Sequence, residues 1–407
     1  MTAEGTQTTT AHVAQRGHIS RTVAAMSSSG IRRFFELLDS VDGVISLAVG
    51  QPDFPTPTSI TQAGVDSMLA GHTGYTSNYG LIELRQLLGN QLERMYGVAY
   101  APERELLVTT GVSEALDLAI RAVIDPGDEV LVPEPGYVAY EPVISLAAAT
   151  YVPVPTEAST NFVVTVDALR AKLTPATKAI LLGYPCNPTG AVLDRESMEA
   201  IASFAEEHDL IVISDELYDR LVYGVQHICF ASLPGMRERT ILLGGFSKAY
   251  AMTGWRLGYA AAPERILEAM MKVHQYVMMS APTAAQYAAV EALEHGEEDV
   301  RGMVAEYDRR RQMVVRRFRG MGLDTVEPRG AFYAFPDIRS SGIEDDVEFA
   351  ERLLTEERVA VVPGSTFGAS GRGYIRVCYA ASFEDLEEAM DRIERFVTRR
   401  RAGEPAR

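Results

Sequence analysis

The sequence predicts an α/β protein with two parts, a large domain built on a mainly parallel sheet covered by helices and a smaller α+β domain. Between about residues 105 and 260, short apolar runs alternate with amphipathic segments, and several runs are apolar on both faces. Strands covered by helices on both sides have this composition, and the alternation predicts parallel strands joined by right-handed crossovers. After about residue 290, a long charged helical stretch and isolated short strands replace the alternation, which predicts the second domain.

Six apolar runs are the predicted strands of the large sheet: Leu106–Thr109, Glu129–Val132, Ala179–Leu182, Leu210–Ser214, Thr240–Leu243 and Leu257–Ala260. The later part contains a helical stretch, Glu297–Arg319, and three predicted strands: Ala331–Phe335, Val359–Val362 and Tyr374–Val377. Ser382, with Asp385 three residues later, marks the start of the last helix as in a capping box. We expect a large domain at residues 56–290, a small domain at residues 18–55 and 291–407, and a flexible N-terminal segment at residues 1–17.

The composition limits the class of partner. The 407 residues include 38 basic and 55 acidic side chains, a formal net charge of −17, and such a surface repels nucleic acid and anionic lipid. The three cysteines form no Cys-x-x-Cys pair, which argues against a zinc site or a disulfide framework: Cys186, Cys229 and Cys378. Because neither a secretory signal nor a bilayer-spanning apolar run is visible, we expect a soluble cytoplasmic protein with no metal, nucleic-acid or membrane partner.

The first candidate for chemistry is a lysine at the end of a predicted strand. The run Ile-Leu-Leu-Gly-Gly-Phe leads directly into Ser247 and Lys248, and Arg256 follows eight residues after the lysine. An isolated lysine at a strand end is usually a surface residue. A hydroxyl, a guanidinium and an amine together suit a phosphorylated aldehyde, because the amine forms an imine while the other two groups hold the phosphate.

Asp215 is the second candidate, since it lies where a buried parallel strand ends. Ligands of α/β sheets bind on this side of the sheet. One interpretation is the N-cap of a following helix, for which aspartate is well suited. The other is a carboxylate that pairs with the nitrogen of a pyridine ring and keeps it protonated, so that the ring accepts electrons. Tyr218, three residues later, is then placed to reach a phenolic oxygen of that ring.

Three further positions are ambiguous when each is taken alone. Asn187, in Pro-Cys-Asn-Pro-Thr-Gly, is either an ordinary turn residue or a donor to the same ring oxygen. Gly111, in Thr-Thr-Gly-Val-Ser, begins a predicted helix whose free N–H groups suit a phosphate, although neither GxGxxG nor a P-loop motif occurs. Tyr137, in Glu-Pro-Gly-Tyr, is either a core aromatic residue or a ring that stacks on a flat ligand.

Taken together, Asn-Pro-Thr-Gly, Asp-x-x-Tyr and Ser-Lys-x7-Arg resemble the motifs of the class I/II aminotransferases, the fold-type I pyridoxal-phosphate enzymes. The resemblance extends from about residue 31 to residue 397 and implies pyridoxal 5′-phosphate as the cofactor. It implies that Lys248 forms the internal aldimine and moves the proton at the substrate Cα. It also implies that Asp215 pairs with the ring nitrogen while Asn187 and Tyr218 contact the ring oxygen. The implied stacking residue and phosphate ligands are Tyr137, Gly111, Val112, Ser113, Ser247 and Arg256.

The resemblance also implies a substrate site and a dimer. Gly50, in Gly-Gln-Pro-Asp-Phe, matches a segment that closes over the substrate, which Asn187 also contacts. Arg376 matches the arginine that binds the substrate α-carboxylate bidentately, and its place in an otherwise apolar strand fits burial beside an anion. Tyr75 matches a tyrosine that reaches the phosphate of a partner subunit, which implies a homodimer with shared active sites.

The predicted function is transfer of the amino group of an L-amino acid to a 2-oxo acid such as 2-oxoglutarate, by a ping-pong mechanism. Ser113 stands where some aspartate-specific relatives have a lysine, and Ser-Gly-Ile-Arg-Arg-Phe-Phe at residues 29–35 resembles the branch with aromatic and broad-range enzymes. The alternative with the same residues is a β-eliminating C–S lyase. A transcription regulator needs a DNA-binding module, for which the residues before the match are too few. A non-catalytic binding protein is not expected to keep both Lys248 and Asp215.

Overall fold

The computed structural model describes residues 18–26 and 42–403. The predicted flexible segment at residues 1–17 and the motif at residues 29–35 lie outside the described residues. The strands are β1 (Ile45–Ser46), β2 (Leu106–Thr109), β3 (Glu129–Glu134), β4 (Thr150–Pro155), β5 (Thr177–Gly183), β6 (Ile211–Asp215), β7 (Thr240–Gly245), β8 (Gly258–Ala261), β9 (Tyr333–Ala334), β10 (Val359–Ala360), β11 (Val362–Pro363) and β12 (Ile375–Cys378).

Seven of these strands form the large sheet, in the order β2-β8-β7-β6-β5-β3-β4. Strand β8 runs antiparallel to both of its neighbours, and the other pairs are parallel. The mainly parallel sheet and its six predicted strands are therefore confirmed, with ends that differ by at most two residues. Strand β4 was not predicted because it lies at the sheet edge, is partly exposed and contains Pro153 and Pro155, which only an edge strand accommodates.

Alternate residues of each central strand pack into two different hydrophobic cores. In β6, Val212 belongs to the core on one face of the sheet and Ile213 to the core on the other, and both are 0% exposed. In β5, Ile180 and Leu181 divide in the same way. Successive side chains of a strand point to opposite faces, so a strand covered on both sides is apolar at every position.

Helices cover both faces of the large sheet, and further helices belong to the smaller part. They are α1 (Arg21–Ala25), α2 (Thr58–Leu69), α3 (Ile82–Tyr96), α4 (Gly111–Val123), α5 (Tyr140–Leu146), α6 (Val166–Arg170), α7 (Arg195–Glu207), α8 (Glu264–Val277), α9 (Thr283–His295), α10 (Glu297–Gly320), α11 (Asp346–Glu357) and α12 (Phe383–Arg401). Helix α10 confirms the predicted charged helix, and Ser382 Oγ accepts the N–H of Asp385 at 3.0 Å at the start of α12. Within residues 18–26 and 42–403, none of the helices has the length and apolarity that crossing a bilayer requires.

The smaller part contains a three-stranded antiparallel sheet, β11-β12-β9, and a parallel pair, β1 with β10. The predicted strand Val359–Val362 is wrong as a single strand, because β10 pairs with β1 whereas β11 pairs with β12. The predicted strand Ala331–Phe335 shortens to β9, since Ala331 has a left-handed backbone with φ of 55°. The division into domains at residues 56–290 and at 18–55 with 291–407 stays a prediction.

Candidate active site

The carboxyl ends of β5, β6 and β7 open onto a cavity of about 360 Å³. Parallel strands end at the same edge of a sheet, so residues distant in sequence meet there. The smaller part supplies the opposite wall. Most of the residues that the sequence analysis singled out line this cavity: Gly50, Val112, Ser113, Tyr137, Asn187, Asp215, Tyr218, Ser247, Lys248, Arg256 and Arg376.

Lys248 projects into the cavity from the turn after β7. Its Nζ donates a hydrogen bond to the backbone oxygen of Gly50 at 2.7 Å. Burial lowers the pKa of Lys248 to about 8, and the positive charges of Arg376 and Arg256 act in the same direction. About a tenth of the amine is then unprotonated at pH 7, far more than for an ordinary lysine, and this is the form that attacks a carbonyl carbon.

Asp215 is the last residue of β6, and its carboxylate faces the cavity. The Tyr140 hydroxyl donates to Asp215 Oδ2 at 2.9 Å, and the N–H of Leu217 donates to Oδ1 at 3.3 Å. Burial raises the pKa of Asp215 to about 6, which the hydrogen bond from Tyr140 opposes. Residues 217–220 form turns, so Asp215 does not cap a helix at this point.

The hydrogen bond between Tyr140 and Asp215 crosses the end of β5. Gly183 pairs with Asp215 in the sheet, and a Cβ at Gly183 would collide with the Tyr140 hydroxyl. The glycine at the strand end therefore gives the phenol a path to the carboxylate. Sequence analysis did not identify Tyr140, although a glycine that ends a buried strand opposite an aspartate is a signal of close approach.

A corner of the cavity with the features of an anion site lies where α4 begins. Gly111 is the first residue of α4 and has φ of +75°, and a Cβ at this position would lie 2.7 Å from Arg256 Nη2. Arg256 itself has φ of 54°, an uncommon conformation for a residue with a side chain. Its guanidinium and the free N–H groups of the helix start converge with Ser247 on the cavity, as a phosphate seat requires.

Arg376, a residue that is 3% exposed, contributes a guanidinium to the cavity wall. It donates to Asn187 Oδ1 at 2.9 Å and to the backbone oxygen of Ala48. Its Cζ lies 4.6 Å from the ring centroid of Tyr333 and 4.9 Å from that of Phe367. Arg376 Nε is buried and has no hydrogen-bond partner among the described residues. A buried cation with an unpaired donor is costly, and an anionic ligand would satisfy it.

The three predicted tyrosines differ in whether they line the cavity. The Tyr218 hydroxyl pairs with the Tyr333 hydroxyl at 2.8 Å, and the Tyr218 ring centroid is 5.8 Å from Lys248 Nζ. Tyr137 lines the cavity with 37% of its surface exposed and packs edge-on against Tyr140. Tyr75 lies outside the cavity of its own chain with 83% of its surface exposed. Tyr333 was not identified from the sequence.

The arrangement fits a phosphorylated pyridine aldehyde. The cavity joins a nucleophilic amine, a buried carboxylate and a phosphate corner whose glycine leaves room for the Arg256 guanidinium. The unpaired Nε of Arg376 lies on the wall opposite the sheet, where a second anionic group would bind. Such a cavity has the groups to accommodate a phosphorylated aldehyde and a carboxylate side by side.

Comparison with known proteins agrees with this chemistry. The family "Aminotransferase class I and II" matches residues 42–393. The aspartate aminotransferase of Pyrococcus abyssi (strain GE5 / Orsay) is 46% identical over 373 residues, 91% of this chain and 96% of the relative. Aromatic-amino-acid aminotransferase 2 of Thermococcus litoralis is 43% identical over 91% of this chain and 96% of its own length. The crystal structure of the aromatic aminotransferase from Pyrococcus horikoshii OT3 superposes with a TM-score of 0.87 and 46% identity, over 91% of this chain and 99% of that chain.

The family match covers most of the chain, and both relatives exceed 40% identity over nearly their whole length. The observed fold and the residues around the cavity agree with it. The chain belongs to the class I and II aminotransferases, and it is a pyridoxal-phosphate-dependent aminotransferase.

Proposed function

We propose that this enzyme transfers the amino group of L-amino acids to a 2-oxo acid such as 2-oxoglutarate, and that its donors are aromatic amino acids or a broad range of amino acids. The observation that carries the proposal is the facing pair of Lys248 and Arg376 in one cavity. The lysine amine has a pKa of about 8, and the buried guanidinium has an unpaired N–H among the described residues. An amine and a carboxylate of one small molecule can therefore bind at the same time.

The residues of the sheet wall have distinct tasks in this proposal. When bound, the cofactor supplies an electron-accepting ring that stabilises negative charge at the substrate Cα. Lys248 Nζ would hold the cofactor through its aldehyde carbon, and the same amine would carry a proton to and from the substrate Cα. Asp215 would keep the ring nitrogen protonated, while Asn187 and Tyr218 would donate to the ring oxygen. The phosphate ligands are Gly111, Val112, Ser113, Ser247 and Arg256.

The opposite wall selects the substrate. Arg376 binds the α-carboxylate, and Gly50 and Asn187 border the same space. The cationic side chains of the cavity lining, within the described part of the chain, are Lys248, Arg256 and Arg376, and each already has a task. No further cation of this lining is left to pair with the distal carboxylate of an acidic amino acid, which supports an aromatic or broad-range donor. The amino acid leaves as a 2-oxo acid before the second 2-oxo acid binds, which is a ping-pong mechanism.

A homodimer is part of the proposal. Large apolar side chains are exposed near the end of α2, at the end of α8 and at Tyr75: Met68, Leu69, Tyr276, Val277 and Met279. Helices α2 and α9 pack together, and Thr283 Oγ donates to the backbone oxygen of Gly74, so these segments adjoin one another. A second copy of the chain would cover this surface and bring Tyr75 to the partner's phosphate corner. The three cysteines, all buried free thiols, suit the reducing cytoplasm that we propose as the location.

A half-reaction assay tests the function. Purified protein with bound pyridoxal phosphate is mixed with single amino acids, and the cofactor absorbance is followed before 2-oxoglutarate is added. We expect aromatic amino acids to convert the cofactor to its amine form and 2-oxoglutarate to restore it. Release of pyruvate and ammonia from cystathionine, without formation of the amine form, would instead identify the C–S lyase.

A further inference from the structure

We propose that Glu134 is a positioning residue for the substrate-carboxylate site. Its carboxylate holds the loop at residues 364–371, hereafter the clamp loop, against the wall of the cavity that carries Tyr137. The clamp loop in turn packs against Arg376. The inference rests on the proposed function, in which Arg376 binds the α-carboxylate of the substrate.

Glu134 ends β3 in the large sheet and is 8% exposed. Its Oε1 accepts the hydroxyl of Tyr151 at 2.8 Å, and its Oε2 accepts the backbone N–H of Ala369 at 3.1 Å. The backbone N–H of Ser370 donates to the same carboxylate. A buried carboxylate is costly unless hydrogen-bond donors surround it, and here two of the donors belong to the clamp loop.

Two further features bring the clamp loop to this position. The N–H of Gly136 donates to the backbone oxygen of Phe367 at 3.0 Å. Gly368 has φ of +114°, and a Cβ on this residue would collide with the Glu134 carboxyl group. Only glycine combines that backbone conformation with so close an approach. The turn from Glu134 to Tyr137 and the clamp loop are thus joined by backbone and side-chain contacts.

The clamp loop reaches Arg376 through Phe367. It follows directly on β11, which pairs with β12 so that Val362 lies opposite Arg376. The Phe367 ring lies 4.9 Å from the Arg376 Cζ. On the side of the smaller part, Asp346 Oδ2 accepts the N–H of Ser365 at 2.7 Å and anchors the start of the loop. Loss of the Glu134 contact therefore releases the tip of the loop, and with it one face of the guanidinium.

The phosphate corner formed by Gly111 and Arg256 makes none of these contacts. A weakened clamp loop should therefore raise the KM of carboxylate substrates while the affinity for the cofactor stays the same. This separation distinguishes positioning of Arg376 from general loss of stability, which would weaken both.

The test uses the cofactor-loaded enzyme and three variants. Glu134→Gln keeps the shape of the side chain but replaces one carboxylate oxygen with an amide NH₂. That group cannot accept the hydrogen bond that the oxygen accepted. Gly368→Ala leaves the carboxylate intact, but the added methyl group collides with it and pushes the clamp loop away. Glu105→Gln is the matched control, because Glu105 Oε2 also accepts a backbone N–H, that of Ala101 at 2.8 Å, outside the cavity lining.

We expect hydrogen–deuterium exchange in the clamp loop to accelerate in Glu134→Gln and Gly368→Ala, without substrate present. We also expect the KM for the amino acid and for 2-oxoglutarate to rise about 3- to 10-fold, the effect of one weakened hydrogen bond, with kcat within about twofold. The cofactor absorbance and the dissociation constant of pyridoxal phosphate should match those of the unchanged enzyme and of Glu105→Gln.

Equal exchange in the unchanged enzyme and both variants would overturn the inference, and so would faster exchange with an unchanged KM. If Glu134→Gln does not fold, Gly368→Ala alone carries the test, since it keeps the buried carboxylate. Failure of the proposed function is a separate result. It would appear as absence of amino transfer by the unchanged enzyme, whereas exchange in the clamp loop does not depend on substrate.

Discussion

The two walls of the cavity are built in different ways. On the sheet wall, Asp215 and Lys248 come from the ends of neighbouring parallel strands. On the opposite wall, Arg376 lies inside a four-residue strand and Tyr333 inside a two-residue strand. The sheet edge fixes its residues through backbone register, whereas the other wall fixes its guanidinium through aromatic contacts and one loop. We infer that the sheet wall governs the chemical step and the opposite wall governs substrate affinity.

Replacement of the lysine should cause the largest effect on the sheet wall. In the proposed mechanism Lys248 is both the covalent attachment and the proton carrier, so we expect Lys248→Ala to lower kcat by about 10³-fold or more. Steady-state kinetics measures this fall in kcat, and the cofactor absorbance is recorded alongside it. Lys272→Ala, an exposed lysine near Glu268, is the control and should keep full activity. Many turnovers at an undiminished rate in Lys248→Ala would contradict the assignment.

Asp215→Asn should have the next largest effect, since it removes a buried charge while keeping the shape. Removing one partner of a buried ion pair, here the partner of the protonated ring nitrogen in the proposed mechanism, costs about 3–5 kcal/mol, which corresponds to roughly 10²- to 10⁴-fold in kcat. The substrate KM should change little, because the carboxylate lies on the sheet wall. Asp209→Asn, which alters an exposed aspartate paired with Arg239, is the control. A raised substrate KM with a normal kcat in Asp215→Asn would contradict the assignment of the chemical step to the sheet wall.

On the opposite wall, Arg376→Lys should raise the KM of amino and oxo acids about 10- to 100-fold. Lysine keeps the charge but not the planar fork, and hydrogen bonds to charged groups contribute about 1.5–3 kcal/mol. Arg339→Lys, which alters an exposed arginine paired with Asp337, should leave KM unchanged. Binding of pyridoxal phosphate, measured by fluorescence titration, should be the same in both variants. A large fall in kcat with unchanged KM would show that the walls do not divide the work in this way.

The smallest predicted effect belongs to Tyr140→Phe. The phenol hydrogen-bonds the ionised form of Asp215, so its loss raises the pKa of that carboxyl above the present value of about 6. The acid side of the pH profile should therefore move to higher pH by about one unit, so that activity is lost at a higher pH than in the unchanged enzyme. The pH profile of kcat measures the shift. Tyr223→Phe, which removes a hydroxyl bonded to the Ala331 backbone oxygen, should keep the original profile.

The two walls also differ in how far the sequence predicts them. The sheet wall follows from local patterns, because an apolar strand followed by a polar turn has a recognisable composition. Asp215, Asn187 and Lys248 were found in this way, and the structure brings them to one cavity. The edge strand β4 was missed because its exposure and its prolines hide the pattern.

The opposite wall depends on contacts between residues that are far apart in the chain. Arg376 was singled out through the family resemblance, since a lone arginine in a short strand has no local signature. Glu134 bonds to the N–H of Ala369, 235 positions later, and Tyr140 reaches Asp215 across a neighbouring strand. Only the register of the strands and the path of the loops bring such pairs together. Gly183 and Gly368, where a side chain would collide, were the local signals available.

The most direct test of this account is to locate the covalent bond to the cofactor. The chain has four lysines, Lys172, Lys178, Lys248 and Lys272, and of these Lys248 lines the cavity. The loaded enzyme is reduced with borohydride and digested, and the labelled peptide is identified by mass spectrometry. We predict that the added mass lies on Lys248 alone. A label on one of the other three lysines, or none after reduction of the loaded enzyme, would contradict the central claim.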